Sequence, residues 1–257
     1  LSKEASDART SAVGQVASQV ISKTITLNWI VETLGPQLTS DDDLERSNGT
    51  RALVDIISRV GDVGPAASRV LVSFFSDRAE DVPCQPEVLR GLHALCCGTG
   101  PSSEEALSDS AEAVATGLSE HLSPGTLSPA SRTQAVEVLS AAVLRARTSG
   151  AAAASVAMRL RGLFVGERDP RVLRGSLALM ARLCRAAGPE HVNPVSRELF
   201  DSFSAYFPVL FVPRPAPGTP PGSVVSKEEL VAALRLCFVS SPAFSQLAAP
   251  FLLDKTA

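Results

Sequence analysis

Apolar residues recur along this chain at the helical period, and the runs are cut at nearly regular intervals by proline, glycine and capping residues. Leu27, Ile30, Val31, Leu34 and Leu38 share one helical face. Leu53, Ile56, Ile57 and Val60 do the same in the next run, and Leu173, Leu177, Met180 and Leu183 later on. No alternation of apolar and polar residues lasts long enough to compete as a strand. The breaks predict helices near 9–22, 25–38, 41–60, 66–79, 86–97, 103–121, 129–148, 151–165, 169–187, 190–206, 227–240 and 243–254. Ser40, ahead of Asp41, Asp42 and Asp43, is read as an N-cap. Asp169-Pro170 places proline at a first helical position, where its missing N–H costs nothing.

Taken as pairs of A and B helices, the runs put B helices near 41, 86, 129, 169 and 227. The first steps fall in the range of about 40–47 residues typical of HEAT units. The last step is longer and contains a proline-rich loop. An internal echo agrees with this phase: Pro86-Glu87-Val88-Leu89-Arg90-Gly91 recurs as Pro170-Arg171-Val172-Leu173-Arg174-Gly175, at the start of a B helix both times. The expected fold class is therefore an all-α HEAT-repeat (armadillo-like) solenoid of about five helix pairs. Residues 1–257 are read as a single N-terminal domain, with residues 1–22 as a polar capping helix. Asp169 and Arg174 have the spacing of a turn aspartate and helix arginine that tie adjacent repeats, and Asp42 and Arg46 have a related spacing in the first unit. The alternative for all four is a solvated helix end with loose charges.

Only 5% of the residues are aromatic while 45% are apolar, so the core must be built from Leu, Val, Ile and Ala. Small residues let helices approach closely. The net charge of −3 gives no basic footprint for nucleic acid, and no apolar run reaches the roughly 18–20 residues of a membrane helix. Five cysteines (Cys84, Cys96, Cys97, Cys184, Cys237) contain no Cys-x-x-Cys pair and read as reduced thiols. The first residue is Leu1, not Met, and the chain is read as part of a longer one. Leu247, Phe251, Leu252 and Leu253 make the last run apolar, which leads to the expectation that it packs on a further repeat.

Catalytic and cofactor patterns are absent. There is no phosphate-binding glycine loop, no nucleophile elbow and no set of four thiolates for an iron–sulfur cluster. His93 and Cys96 share a helix face at i, i+3, a spacing more often seen in a packed helix than in a metal site. Asp41-Asp42-Asp43 lacks the spaced ligands of a calcium loop, and helix capping accounts for it. No catalytic residue, cofactor or metal ligand is assigned. The segment 207–225 is the candidate for something beyond packing. Phe207, Phe211, Pro213, Arg214 and Pro215 belong to a loop that is either a solvated spacer or a docking and bracing segment; Phe207, Leu210 and Phe211 favour bracing.

Four blocks resemble the N-terminal region of the MMS-nineteen family. Arg197–Lys255 begins RELFDSFSAYFPVLFVPRP and ends SKEELVAALRLCFVSSPAFSQLAAPFLLDK; the others are LNWIVETLGPQLTSDDDLERSNG from Leu27, VLRGLHAL from Val88 and ERDPRVL from Glu167. The family's proline triplet stands here as Pro213-Arg214-Pro215, and its Asn-Asp-Pro turn as Ala216-Pro217-Gly218-Thr219. The resemblance implies a HEAT-repeat scaffold of the cytosolic iron–sulfur targeting complex, cytoplasmic and nuclear. It implies partners that are proteins: cluster-targeting subunits, iron–sulfur apoproteins such as XPD-type helicases and DNA polymerases, and TFIIH. Neither direct nucleic-acid binding nor membrane association is expected. The alternative is an unrelated HEAT or armadillo adaptor in transport or trafficking.

Overall fold

The computed structural model describes residues 3–97, 111–145, 147–210 and 224–256. Among these residues there are helices and turns and no strand. They fall into two units, Leu1–Ala146 and Arg147–Ala257.

The first unit holds α1 (Lys3–Ile21), α2 (Leu27–Leu38), α3 (Asp43–Val60), α4 (Pro65–Asp77), α5 (Gln85–Cys96), α6 (Ala111–His121) and α7 (Pro129–Arg145). Each helix starts for a local reason. The Thr26 hydroxyl accepts from the Trp29 amide, Asp42 caps α3, and Pro65 and Pro129 open α4 and α7. Gly61, at φ 75°, ends α3 in the left-handed region that favours glycine. The pairs are α2 with α3, α4 with α5 and α6 with α7; each B helix also lies against the B helix before it, α5 on α3 and α7 on α5. α1 lies on α3, burying Val13 and Ala17.

The second unit holds α8 (Gly150–Phe164), α9 (Pro170–Ala187), a single turn at Pro189–Val192, α10 (Ser196–Ser204), α11 (Lys227–Phe238) and α12 (Pro242–Thr256). α8 pairs with α9 and α10 with α11. α9 packs on α11, α8 on α10, and α10 on α12. α9 is buried on two sides, by Val172, Leu177, Met180 and Cys184 among others, because a neighbour lies on each. Burying one such side chain contributes about 1.5–3 kcal/mol. These pairings make the fold an all-α member of the HEAT-repeat solenoid class, with five helix pairs among the described residues.

Three expectations change in detail. The cap of α3 is Asp42, not Ser40: Asp42 Oδ1 accepts from the Glu45 amide at 2.8 Å, while the Ser40 hydroxyl donates to the Glu45 carboxylate. The run 190–206 is not one helix, since Asn193-Pro194 interrupts it with a tight 3-10 turn before α10. α1 begins at Lys3 rather than near residue 9. Residues 103–110 of the expected sixth run lie outside the described residues.

Candidate protein-interaction surface

The start of α3 shows how one repeat holds the next. Arg46 lies one turn inside the helix, and its Nη1 donates to the carbonyls of Ser40 (2.9 Å) and Asp41 (3.1 Å) in its own entry turn. Nε and Nη2 then reach both oxygens of Asp81, in the turn before α5, at 2.9 and 3.2 Å. A guanidinium held by a carboxylate in this two-pronged way fixes geometry as well as charge. The hydrogen bond from Arg46 holds the Asp81 carboxyl below its ordinary value, against partial burial that pushes it up. Asp42, chosen with Arg46 from the sequence, caps its own helix, its Oδ1 accepting from the Glu45 amide, and makes no bridge to another repeat among the described residues.

Further along, α3 and α5 are tied by a chain of charges. Asp55 accepts from Arg9 of α1 at 2.9 Å and pairs with Arg90 of α5 at 2.8 Å. Arg90 also meets Glu87 at 2.6 Å, and Glu87 takes Arg51 of α3 at 2.7 Å. From α5, His93 Nε2 lies 2.8 Å from a carboxylate oxygen of Glu137 on α7. A polar link runs deeper. Gln85, fully buried at the head of α5, donates to the carbonyls of Ala79 (2.8 Å) and His121 (2.9 Å) and accepts from the Ser123 amide at 3.3 Å. It therefore joins the turn after α4 to the end of α6. Gly91 lets α4 and α5 close up, because a Cβ there would stand 2.7 Å from the Phe75 ring. Sequence reasoning missed Asp55, Gln85 and Gly91; the echo containing Arg90 and Gly91 was the available signal.

In the second unit the echo does different work. Asp169, at the place of Gln85, caps α9 by accepting from the Arg171 amide at 2.9 Å and also holds the Arg171 guanidinium at 2.8 Å. Arg174, at the place of Arg90, reaches forward to Glu229 of α11. Glu229 itself closes a capping box with Ser226, and these contacts hold its carboxyl below the ordinary range. Arg161 of α8 meets Glu198 of α10 at 2.8 Å. Phe207 packs edge-on against Phe251 and Phe238, at ring-centre distances of 5.9 and 6.5 Å. Leu210 is 83% exposed, so it braces nothing among the described residues. Phe211, Pro213, Arg214 and Pro215 lie outside those residues. Phe251, expected to face a further repeat, is already engaged by Phe200 at 5.6 Å.

Burial pushes the thiols of Cys96 and Cys184 up to about 12 and that of Cys97 up to about 11, so at neutral pH they are protonated and poor nucleophiles. Cys237 is raised further by burial, and its Sγ lies 3.1 Å from the Leu177 carbonyl. No three His, Cys, Asp or Glu side chains converge on a metal position among the described residues. Among the same residues no single helix is long and apolar enough to cross a membrane. The pair α11 and α12 passes that test together but is bent by 120°, with Leu230, Leu234, Cys237 and Phe244 buried in the unit. The described residues present B helices cross-tied by charge within each unit, and an apolar groove of about 440 Å³ lined by α11, α12, Phe207 and Val209.

Residues 31–257 match the family model of the MMS19 N-terminal region, described as "Dos2-interacting transcription regulator of RNA-Pol-II". The chain belongs to the MMS19 family. It is similar to the "MMS19 nucleotide excision repair protein homolog" of Dictyostelium discoideum, at 29% identity over 96% of this chain and 21% of that protein. It is 26% identical to the human protein of the same name, over 94% of this chain and 23% of the relative. It is 25% identical to the Saccharomyces cerevisiae relative, which is named a DNA repair/transcription protein, over 93% of this chain and 23% of the relative. The chain thus spans about a fifth of the length of these MMS19 relatives.

Proposed function

We propose that this chain is a non-catalytic protein-interaction segment of an MMS19-type scaffold acting in DNA repair and transcription. The observation that carries the reading is the family match over residues 31–257, joined to a fold whose B helices are packed into a row within each unit. HEAT-type stacks bind other proteins along extended faces. The relatives' names, nucleotide excision repair protein and repair/transcription protein, supply the process. At the finer level we assign it to the targeting of iron–sulfur clusters to apoproteins of DNA metabolism, XPD-type helicases and DNA polymerases, with a link to TFIIH. Its partners are then proteins: cluster-targeting subunits and apoproteins, met in the cytoplasm and the nucleus. Arg46 and Arg174 serve this role by holding register, while Asp42 and Asp169 fix the helix starts. Phe207 anchors the entry to the proline-rich segment.

Affinity capture tests the proposal, with this chain as bait beside a bait carrying surface-charge reversals on α3 and α5. Recovery of iron–sulfur enzymes, cluster-targeting subunits or TFIIH by the first bait and loss with the second is expected. Equal recovery by both baits, or none by either, contradicts the assignment of those partners to this chain.

A further inference from the structure

Charge is divided unevenly along the chain. Residues 1–146 carry 11 Lys and Arg against 19 Asp and Glu, while residues 147–257 carry 13 against 8. In the second unit part of that basic surplus gathers on the solvent face of α9. Arg171, Arg174, Arg182 and Arg185 are all exposed. With Ala178 they recur at i, i+3, i+7, i+11 and i+14, which is one stripe along a helix. From Arg171 to Arg185 the stripe rises about 21 Å. The positions between them hold only apolar or small residues, most of them buried, so packing of α9 turns the arginines outward.

The two halves of the stripe differ. At the start of α9, Arg171 is held by Asp169 and Arg174 by Glu229 of α11. Further along, Arg182 and Arg185 have no ion pair or hydrogen bond among the described residues. α11 runs alongside in the same direction: Glu229 meets Arg174, and later the Cys237 Sγ meets the Leu177 carbonyl. The acids of both helices, Asp169, Glu228 and Glu229, all stand at their starts. Arg235, in the later half of α11, is exposed and also lacks an ion pair or hydrogen bond among the described residues. Leu236 and Val239 near it are 42% and 62% exposed. Arg185, in the last turn of α9, offsets the helix dipole. Arg182 lies a turn earlier, and two cations one turn apart repel.

We propose that Arg182 and Arg185 of α9, with Arg235 of α11, form a docking face for an acidic segment of a partner protein, one with Asp or Glu spaced by aliphatic residues. Its carboxylates take the guanidinium forks, which match a carboxylate in two-pronged fashion. Its aliphatic residues lie on Ala178, Leu236 and Val239. Single-stranded nucleic acid seeks aromatic platforms as well as cations, and among the described residues of this unit no aromatic ring is exposed as Leu236 and Val239 are. The proposal adds a surface and a partner chemistry to the protein-binding role above, and it rests on this face, not on the partners named there.

Fluorescence anisotropy tests it, with the 257-residue chain and a labelled peptide of four Asp-Glu-Leu repeats. The same peptide with Asn and Gln in place of Asp and Glu, and a labelled single-stranded oligonucleotide, are measured beside it. The acidic peptide should bind at least about tenfold tighter than the neutral one, and more weakly as salt rises. Arg182→Glu/Arg185→Glu should weaken it at least about tenfold, and Arg182→Gln/Arg185→Gln in the same direction by less. If the reversed variant loses its helical circular dichroism, the glutamine variant carries the comparison. Arg197→Glu/Lys255→Glu, an equal change of charge elsewhere in the unit, should leave binding unchanged. No binding of the acidic peptide, equal binding of the neutral one, or equal losses in the stripe and control variants overturns the proposal. So does an oligonucleotide bound more tightly than the peptide and released by the glutamine variant, which assigns the face to nucleic acid. Self-association of the chain that the glutamine variant abolishes assigns it to a second copy, and overturns the proposal as well.

Discussion

The helices α3 to α5 and the helices α10 to α12 face the same task, joining one helix pair to the next, and use different chemistry. The first region works with polar links: Arg46 to Asp81, Arg51 to Glu87, Arg90 to Asp55, and Gln85 to three backbone groups. The second works with rings. Phe200 meets Phe203, Phe238, Phe244 and Phe251, and Phe203 meets Phe238 and Phe244, most of them edge to face at 5.2–5.6 Å. Edge-to-face rings add specific geometry to a large buried area. Exposed charge pairs add little energy, but they fix register between neighbours. The first region is therefore built for register and the second for cohesion.

The largest expected effect lies in the second region. Phe203→Ala removes a fully buried ring from the cluster and should cost about 3–5 kcal/mol, read as a lower denaturant midpoint. A loss below about 1 kcal/mol would mean that the rings are not what holds α10, α11 and α12 together. Next comes Gln85→Leu, which leaves the carbonyls of Ala79 and His121 and the Ser123 amide without their buried partner. A cost of about 1–3 kcal/mol is expected, with faster amide exchange at the end of α6. An unchanged exchange pattern would show that the polar link is idle.

A smaller effect appears in acid. The folded-state value of Asp81 lies below its ordinary 3.8 because of Arg46. Its contribution is therefore complete above that ordinary value and is lost as pH falls through the lower, folded value. Asp81→Asn should flatten the loss of stability in this acidic window and leave the slope near pH 7 unchanged; parallel acid-unfolding curves for the two proteins would contradict it. The smallest effect belongs to Arg174→Ala, since Arg174 and Glu229 are both largely exposed. Arg90→Ala should destabilise more than Arg174→Ala, because Arg90 holds two carboxylates, Asp55 and Glu87. The reverse order would put register control in the second unit.

Several helix starts were legible because they depend on local chemistry. Proline at a first position, glycine at an end and the 3.6 period mark α4, α7, α9 and α12 without any partner in view. The echo at Pro86 and Pro170 also placed two B helices in phase. What one copy of the motif does in place of the other was not legible. Gln85 and Asp169 occupy the same slot, yet one is buried among three backbone partners and the other closes its own helix. A buried glutamine looks like a surface one until the neighbouring turn is placed beside it. Asp55 is 35 residues from Arg90, so their pairing needs the register of α3 against α5, which no local spacing encodes. Arg46 and Arg174 could be picked out by spacing, but their acids, Asp81 and Glu229, come from the following repeat. The ring cluster did leave a mark: seven of the ten phenylalanines, at 200, 203, 207, 211, 238, 244 and 251, fall in the last quarter of the chain.

The claim that the B helices of the first unit lie side by side, locked by named charges, is met most directly by a double-mutant cycle on Asp55 and Arg90. Asp55→Ala, Arg90→Ala and the double variant are unfolded in denaturant beside the parent chain. Touching partners give a coupling energy of at least about 0.5 kcal/mol, with the double variant less destabilised than the sum of the single ones. Strict additivity would place α3 and α5 out of reach of each other and contradict the account.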